Sequence, residues 1–225
     1  MTFGESTNWH DGIAPGEELG KAERQLDAAI SDITGGGVNS SGLSVVYIAT
    51  SDGTVGNTAT ETTVIGADGV GSLDLPADFF AEGVVLRVTA SGYLSSVVGT
   101  DNVRFRIKLG STIVVTTGDF APAQTTDNYW RIDALLTCRT AGASGEIMAN
   151  GRITFDDGSG VGMVNTAVST VDTTTSQTFD LTADWDTADA NDEVVCTNLV
   201  LEKMQVGNAS LSPSDVIVEF QSATS

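Results

Sequence analysis

The clearest pattern in the chain is the alternation over residues 130–139. Trp130, Ile132, Ala134, Leu136 and Cys138 fall on one face, and Arg131, Asp133, Leu135, Thr137 and Arg139 on the other. Alternate side chains of a strand point to opposite sides of a sheet, so the first set is suited to a core. Gly142, Ser144 and Gly145 supply turn chemistry, and the return strand over 146–155 carries Ile147, Ala149, Gly151, Ile153 and Phe155 in phase. The stretch therefore predicts a long hairpin with one buried face. Residues 103–109 alternate as well, with Val103, Phe105, Ile107 and Leu109 inward and Arg104, Arg106 and Lys108 outward. Over 84–90, Val84, Leu86, Val88 and Ala90 share one face. Further strands are predicted over 43–49, 60–65, 113–117, 170–181, 193–201 and 216–220. Asp52-Gly53, Asp68-Gly69, Gly110-Ser111 and Asp156-Asp157-Gly158 read as turns. Short strands at fairly regular spacing, with no helical pattern between them, imply an all-β antiparallel sandwich or barrel.

The N-terminal segment has a different texture. Pro15 is suited to the first position of a helix, and Glu17 and Glu18 fall in its first turn, where negative charge complements the helix dipole. Leu19, Ala22, Leu26, Ala29 and Ile33 follow at spacings of 3, 4, 3 and 4, an apolar seam of about two heptads. Gly35-Gly36-Gly37 ends it. So short a helix is marginal alone and needs something to pack on: its own body, sister subunits or a docking partner. The expected organisation is an N-terminal arm over 1–42 with a short helix, a β body over 43–203, and a C-terminal tail over 204–225 with one strand.

Composition narrows the function. The 225 residues carry 30 acidic and 10 basic side chains, a formal net charge of -20. Such a surface repels phosphates and disfavours nucleic acid as a partner. It favours solubility, opposes unspecific association and suits a saline environment. No stretch of 18 apolar residues is present, so no membrane-spanning helix is expected, and the first residues lack the basic and apolar regions of a secretory signal. The two cysteines, Cys138 and Cys196, lie among strand residues and are expected to be buried free thiols.

Three of the ten basic residues, Arg104, Arg106 and Lys108, line one strand face. Like charges so close need carboxylates on a neighbouring strand, or an acidic partner at a subunit interface.

Little points to chemistry. The single histidine, His10, lies in the polar N-terminal segment, so neither a triad nor a zinc site is expected, and no Gly-Lys-Ser/Thr phosphate loop is present. No catalytic residue, metal or cofactor is assigned. Asp184, Asp186, Asp189, Asp192 and Glu193 form an acidic loop that reads as a solvated hairpin tip. Calcium, which takes several oxygen ligands, is the alternative reading of that loop.

Two resemblances sharpen this. The segment TNWHDGIAPGEELGKAERQLDAAISDITGG is similar to the N-terminal segment of many tailed-phage appendage proteins, through Trp9, Asp11, Gly12, Leu19, Glu23 and Ile30. That likeness implies a particle-attachment or oligomer contact at Trp9, Asp11, Leu19, Leu26 and Ile33. The blocks NTATETTVIG, VLRVTASGYL, VRFRIKLGSTIVVTTG, YWRIDALLTCRTAGASGEIMANGRI and FDLTADWDTADANDEVVCTNLVLE together resemble a jelly-roll module of tailed-phage structural proteins, often trimeric. The acidity of the loop after Trp185 departs from that family's pattern. The resemblance implies a non-enzymatic virion protein assembled in the host cytoplasm: a homotrimeric decoration or spike bound to the major capsid protein or another virion protein. A tail-fibre or baseplate appendage for host adsorption is the alternative location. The reading from a different class is a carbohydrate-binding module, with a host glycan as partner. Such a site needs exposed aromatics. Trp130 points inward, which leaves Trp185 and Tyr93.

Overall fold

The computed structural model describes residues 42–66, 71–97 and 99–205. The predicted helix, the attachment residues Trp9, Asp11, Leu19, Leu26 and Ile33, and the strand over 216–220 lie outside the described residues. So does the Asp68-Gly69 turn.

Among the described residues the fold is all-β and antiparallel. Thirteen strands run β1 (Gly42–Ile48), β2 (Gly53–Gly56), β3 (Thr62–Thr63), β4 (Leu73–Leu75), β5 (Val85–Ser96), β6 (Val103–Leu109), β7 (Thr112–Thr116), β8 (Thr125–Thr140), β9 (Gly145–Phe155), β10 (Gly160–Val164), β11 (Ser169–Val171), β12 (Gln177–Trp185) and β13 (Glu193–Gln205). One sheet has the order β1-β13-β5-β8-β9-β10, with β11 also on β9 and β2 also on β13. The other has the order β3-β12-β6-β7, with β4 also on β12. The first strand thus pairs with the last, and each sheet interleaves early and late segments.

The core lies between the sheets. Leu86, Val88, Ala90 and Leu94 of β5 and the whole predicted face of β8 are buried, as are Ile147, Ala149 and Ile153 of β9. Val103, Phe105, Ile107 and Leu109 of β6, with Phe179, Leu181, Ala183 and Trp185 of β12, meet them from the other sheet. The buried indole of Trp130 donates its Nε1–H to the Tyr93 carbonyl at 3.0 Å, whereas that of Trp185, equally buried, has no acceptor among the described residues.

Two strand expectations are corrected. Residues 170–181 do not form one strand: β11 pairs with β9 in the first sheet, whereas β12 pairs with β6 in the second. Asp172 turns the chain between them, its carboxylate accepting from the Thr174 amide at 2.9 Å and the Thr174 hydroxyl at 2.6 Å. Local side-chain bonds of this kind compete with ladder formation, and the β-branched threonines conceal the break. The strand over 60–65 shrinks to Thr62–Thr63 plus a bridge from Ile65 to Gly71. Gly53, read as a turn residue, instead opens β2 against β13.

β5 also runs farther than its alternation suggested, through Ser91 and Gly92 to Ser96. Opposite Gly92, β13 carries a bulge in which Thr197 is the extra residue between Cys196 and Asn198. A Cβ at position 92 would sit 1.8 Å from the Val195 carbonyl oxygen, so only glycine admits the bulged strand. The bulge shifts the inward set of β13 from Val194 and Cys196 to Leu199 and Leu201.

Candidate functional site

The basic row of β6 finds its counter-charges inside the chain. β12 lies alongside β6, bringing Asp180 opposite Lys108, Thr182 opposite Arg106 and Asp184 opposite Arg104. Arg106 is 7% exposed and pairs with Asp184, with Glu61 at 3.6 Å. Lys108 bonds Glu61 at 2.8 Å, and Arg104 pairs with Asp119. The Thr182 hydroxyl donates to Glu61 at 2.9 Å. Burial alone would raise the Glu61 pKa. The bonds from Lys108 and Thr182, with the charge of Arg106, outweigh burial and hold it low. Burial raises the Asp180 pKa against the bond from Thr63. The charge argument for a subunit interface at Arg104, Arg106 and Lys108 is therefore answered by carboxylates of the same chain. Arg106 in particular is covered on the outward face of β6, where it meets Asp184 and Glu61.

Both cysteines are buried free thiols. Burial raises both pKa values, that of Cys196 to about 11, which makes them poor nucleophiles at neutral pH.

A polar cleft of about 570 Å³ opens at one end of the larger sheet. Its walls include Gly56 at the end of β2, Ser95 and Ser96 at the end of β5, Thr125 at the start of β8, and Asn191, Asp192 and Glu193 leading into β13. Asp192 ties these ends together. Its Oδ1 accepts from the Val97 amide at 2.9 Å, its carbonyl accepts from the Asn57 amide at 3.1 Å, and its own amide donates to the Asp189 carbonyl at 3.1 Å. The residue is 1% exposed, although the acidic loop was expected to be a solvated tip. Burial, then the nearby carboxylates of Asp101 and Asp189, raise its pKa against the bond from Val97. Two other acids of the loop are engaged locally: Asp184 with Arg106, and Asp186 with the Asn102 amide at 2.9 Å and its side-chain nitrogen at 2.7 Å.

Beside this cleft stands an aromatic pair. Tyr93 lies directly opposite Tyr129 across β5 and β8, edge to face with ring centroids 6.4 Å apart, and both are exposed. Tyr93 shares its face of β5 with Ser95 of the cleft wall, two residues on. Trp185 is fully buried, which removes it from the candidate sugar platforms. Tyr129 was missed. Its parity, opposite to that of Trp130, is the signal that would have placed it outside.

No protein-family model matches the chain. No curated protein matches it. Similar solved structures include peanut lectin with a nine-residue peptide, at 8% identity and a TM-score of 0.37, covering 72% of this chain and 97% of that one. Lectin I from Ulex europaeus, in complex with the methyl glycoside of α-L-fucose, gives 9% identity and a TM-score of 0.37 over 69% of this chain and 93% of that one. A protein of unknown function from Shewanella oneidensis gives 15% identity and a TM-score of 0.36 over 73% and 76%.

Proposed function

We propose that this protein is a non-enzymatic structural protein of a tailed-virus particle, a homotrimer that decorates the head and is attached through its N-terminal segment to the major capsid protein or another virion protein. The observation that carries the reading is the strand order. β1-β13-β5-β8 faces β3-β12-β6-β7, which is the arrangement of a jelly roll, with β9 to β11 inserted as an extension of the first sheet. The five sequence blocks that resemble the phage module supply β3, β5, β6 with β7, β8 with β9, and β12 with β13. A self-contained sandwich whose basic row on β6 is paired within the chain suits a part that works by burying complementary surface. Its acidic exterior requires a specific patch to bring subunits together.

Light scattering of the full chain should give a trimer. Deleting residues 1–34 should leave that trimer intact and abolish incorporation into particles. Monomers after the deletion would make the N-terminal segment the oligomerisation element, and a monomeric full chain at micromolar concentration would contradict the trimer.

The exposed pair Tyr93 and Tyr129 favours a second reading, host-glycan binding by the same body, since paired aromatics beside a polar cleft can stack on a sugar ring. On a glycan array, binding by the full chain that Tyr93→Ala abolishes would support it. An array with no bound glycan would remove it and leave the structural role standing.

A further inference from the structure

Asp192 carries a feature that the fold itself does not use. Its Oδ1 holds the Val97 amide, but its Oδ2 is closed off from solvent, has no N–H or hydroxyl donor among the described residues, and has another carboxyl group, that of Asp101, as its neighbour. Ser96, fully buried in the same cleft wall, has an unpartnered Oγ as well. A buried carboxylate oxygen without a donor costs folding free energy, and the cost is larger with Asp101 and Asp189 beside it. No stabilising cation from Lys or Arg is among the cleft's lining residues. An oxygen this enclosed is out of reach of a sugar ring.

We propose that Asp192 Oδ2, together with the Asp101 carboxylate and Ser96 Oγ, binds a calcium ion at this end of the sandwich. Calcium accepts six to eight oxygens of mixed kind, including hydroxyl, carbonyl and water, in flexible geometry. Among the described residues no three Asp, Glu, His or Cys side chains gather into a ready-made cage. Such a site therefore depends on hydroxyl, backbone and water oxygens, which suits calcium better than zinc or the strictly octahedral magnesium. The ion would neutralise the carboxylates where the ends of β2, β5 and β13 meet. It would fix the cleft wall beside Tyr93 without itself being a glycan contact. This inference does not depend on the virion reading.

The test uses the full chain, freed of metal with a chelator, at pH 7.5. Titration with calcium chloride should give saturable binding of one ion per chain, with dissociation constants of about 0.1–1 mM or tighter, and a rise in melting temperature. Asp192→Asn should abolish both effects. Should that variant fail to fold, Asp101→Asn, at a less buried position, should weaken binding by about 10-fold or more through loss of ligand charge. Three results would overturn the proposal. One is no saturable binding up to about 10 mM calcium, far above the range of such sites. Another is a melting-temperature rise that magnesium reproduces at equal ionic strength, which would be general screening of the acidic surface. The third is calcium binding unchanged in Asp101→Asn and Asp192→Asn, which would place the ion elsewhere.

Discussion

Replacing Phe105 with Ala is expected to lower stability by about 3–5 kcal/mol, the range for emptying a packed aromatic site. Phe105 is fully buried at the centre of β6 and joins the two sheets. Its ring lies 5.2 Å from that of Trp130 in the opposite sheet and stacks on Phe120 at 6.4 Å. The loss leaves a void among side chains held by two different ladders, which cannot close without shifting one sheet against the other. Urea denaturation of the variant should show a lower midpoint with an unchanged slope. An unchanged midpoint would mean that Phe105 does not face the core and that the register of β6 is wrong.

The second large effect is expected on the opposite face of the same strand. Asp184→Ala removes the closest carboxylate from Arg106, whose side chain is 8% exposed against 13% for Asp184. Breaking a buried pair by removing one partner costs about 3–5 kcal/mol, because the remaining charge is left in a poorly solvated place. Glu61, at 3.6 Å, retains part of the compensation, so the lower end of that range is expected. Adding Arg106→Met to Asp184→Ala should restore a large part of the loss, since the stranded charge is then gone. A double variant no more stable than Asp184→Ala alone would show that the pair acts through packing and not through charge. The network also gives a pH dependence. The folded-state pKa of Glu61 is depressed, so its contribution is present above the unfolded carboxylate value and is lost as pH falls through the folded one. Acid should therefore weaken this face in wild type, and less so in Glu61→Gln.

These effects also show which parts of the fold are legible in sequence. β6, β8 and β9 alternate cleanly because each has one face in the core and one outside it, and their registers could be read residue by residue. Arg104, Arg106 and Lys108 were recognisable as a charged row. Their partners were not, since Glu61 and Asp184 lie 45 and 78 positions from Arg106 and meet it only because β12 pairs with β6 on one side and with β3 on the other. The break between β11 and β12 was hidden because Thr is both a strand former and a turn former, and only the Asp172 side-chain bonds distinguish the two. Gly92 lies beyond the strand predicted over 84–90. It is the place where the β13 bulge comes close, a constraint that exists only between strands. Asp192 was the least legible residue. In an acidic, polar loop it reads as solvated, yet the convergence of β2, β5 and β13 buries it and leaves Oδ2 without an N–H or hydroxyl donor among the described residues. Tyr93 and Tyr129 become a pair only through the register of β5 with β8.

The virion assignment is tested most directly by locating the protein on purified particles with gold-labelled antibody raised against the full chain. Gold on the head surface, on intact particles that have passed a density gradient, is the expected result. Gold confined to the tail tip would move the protein to the appendage role and retain the structural class. Particles free of label, with the protein recovered only from the soluble lysate, would contradict the assignment.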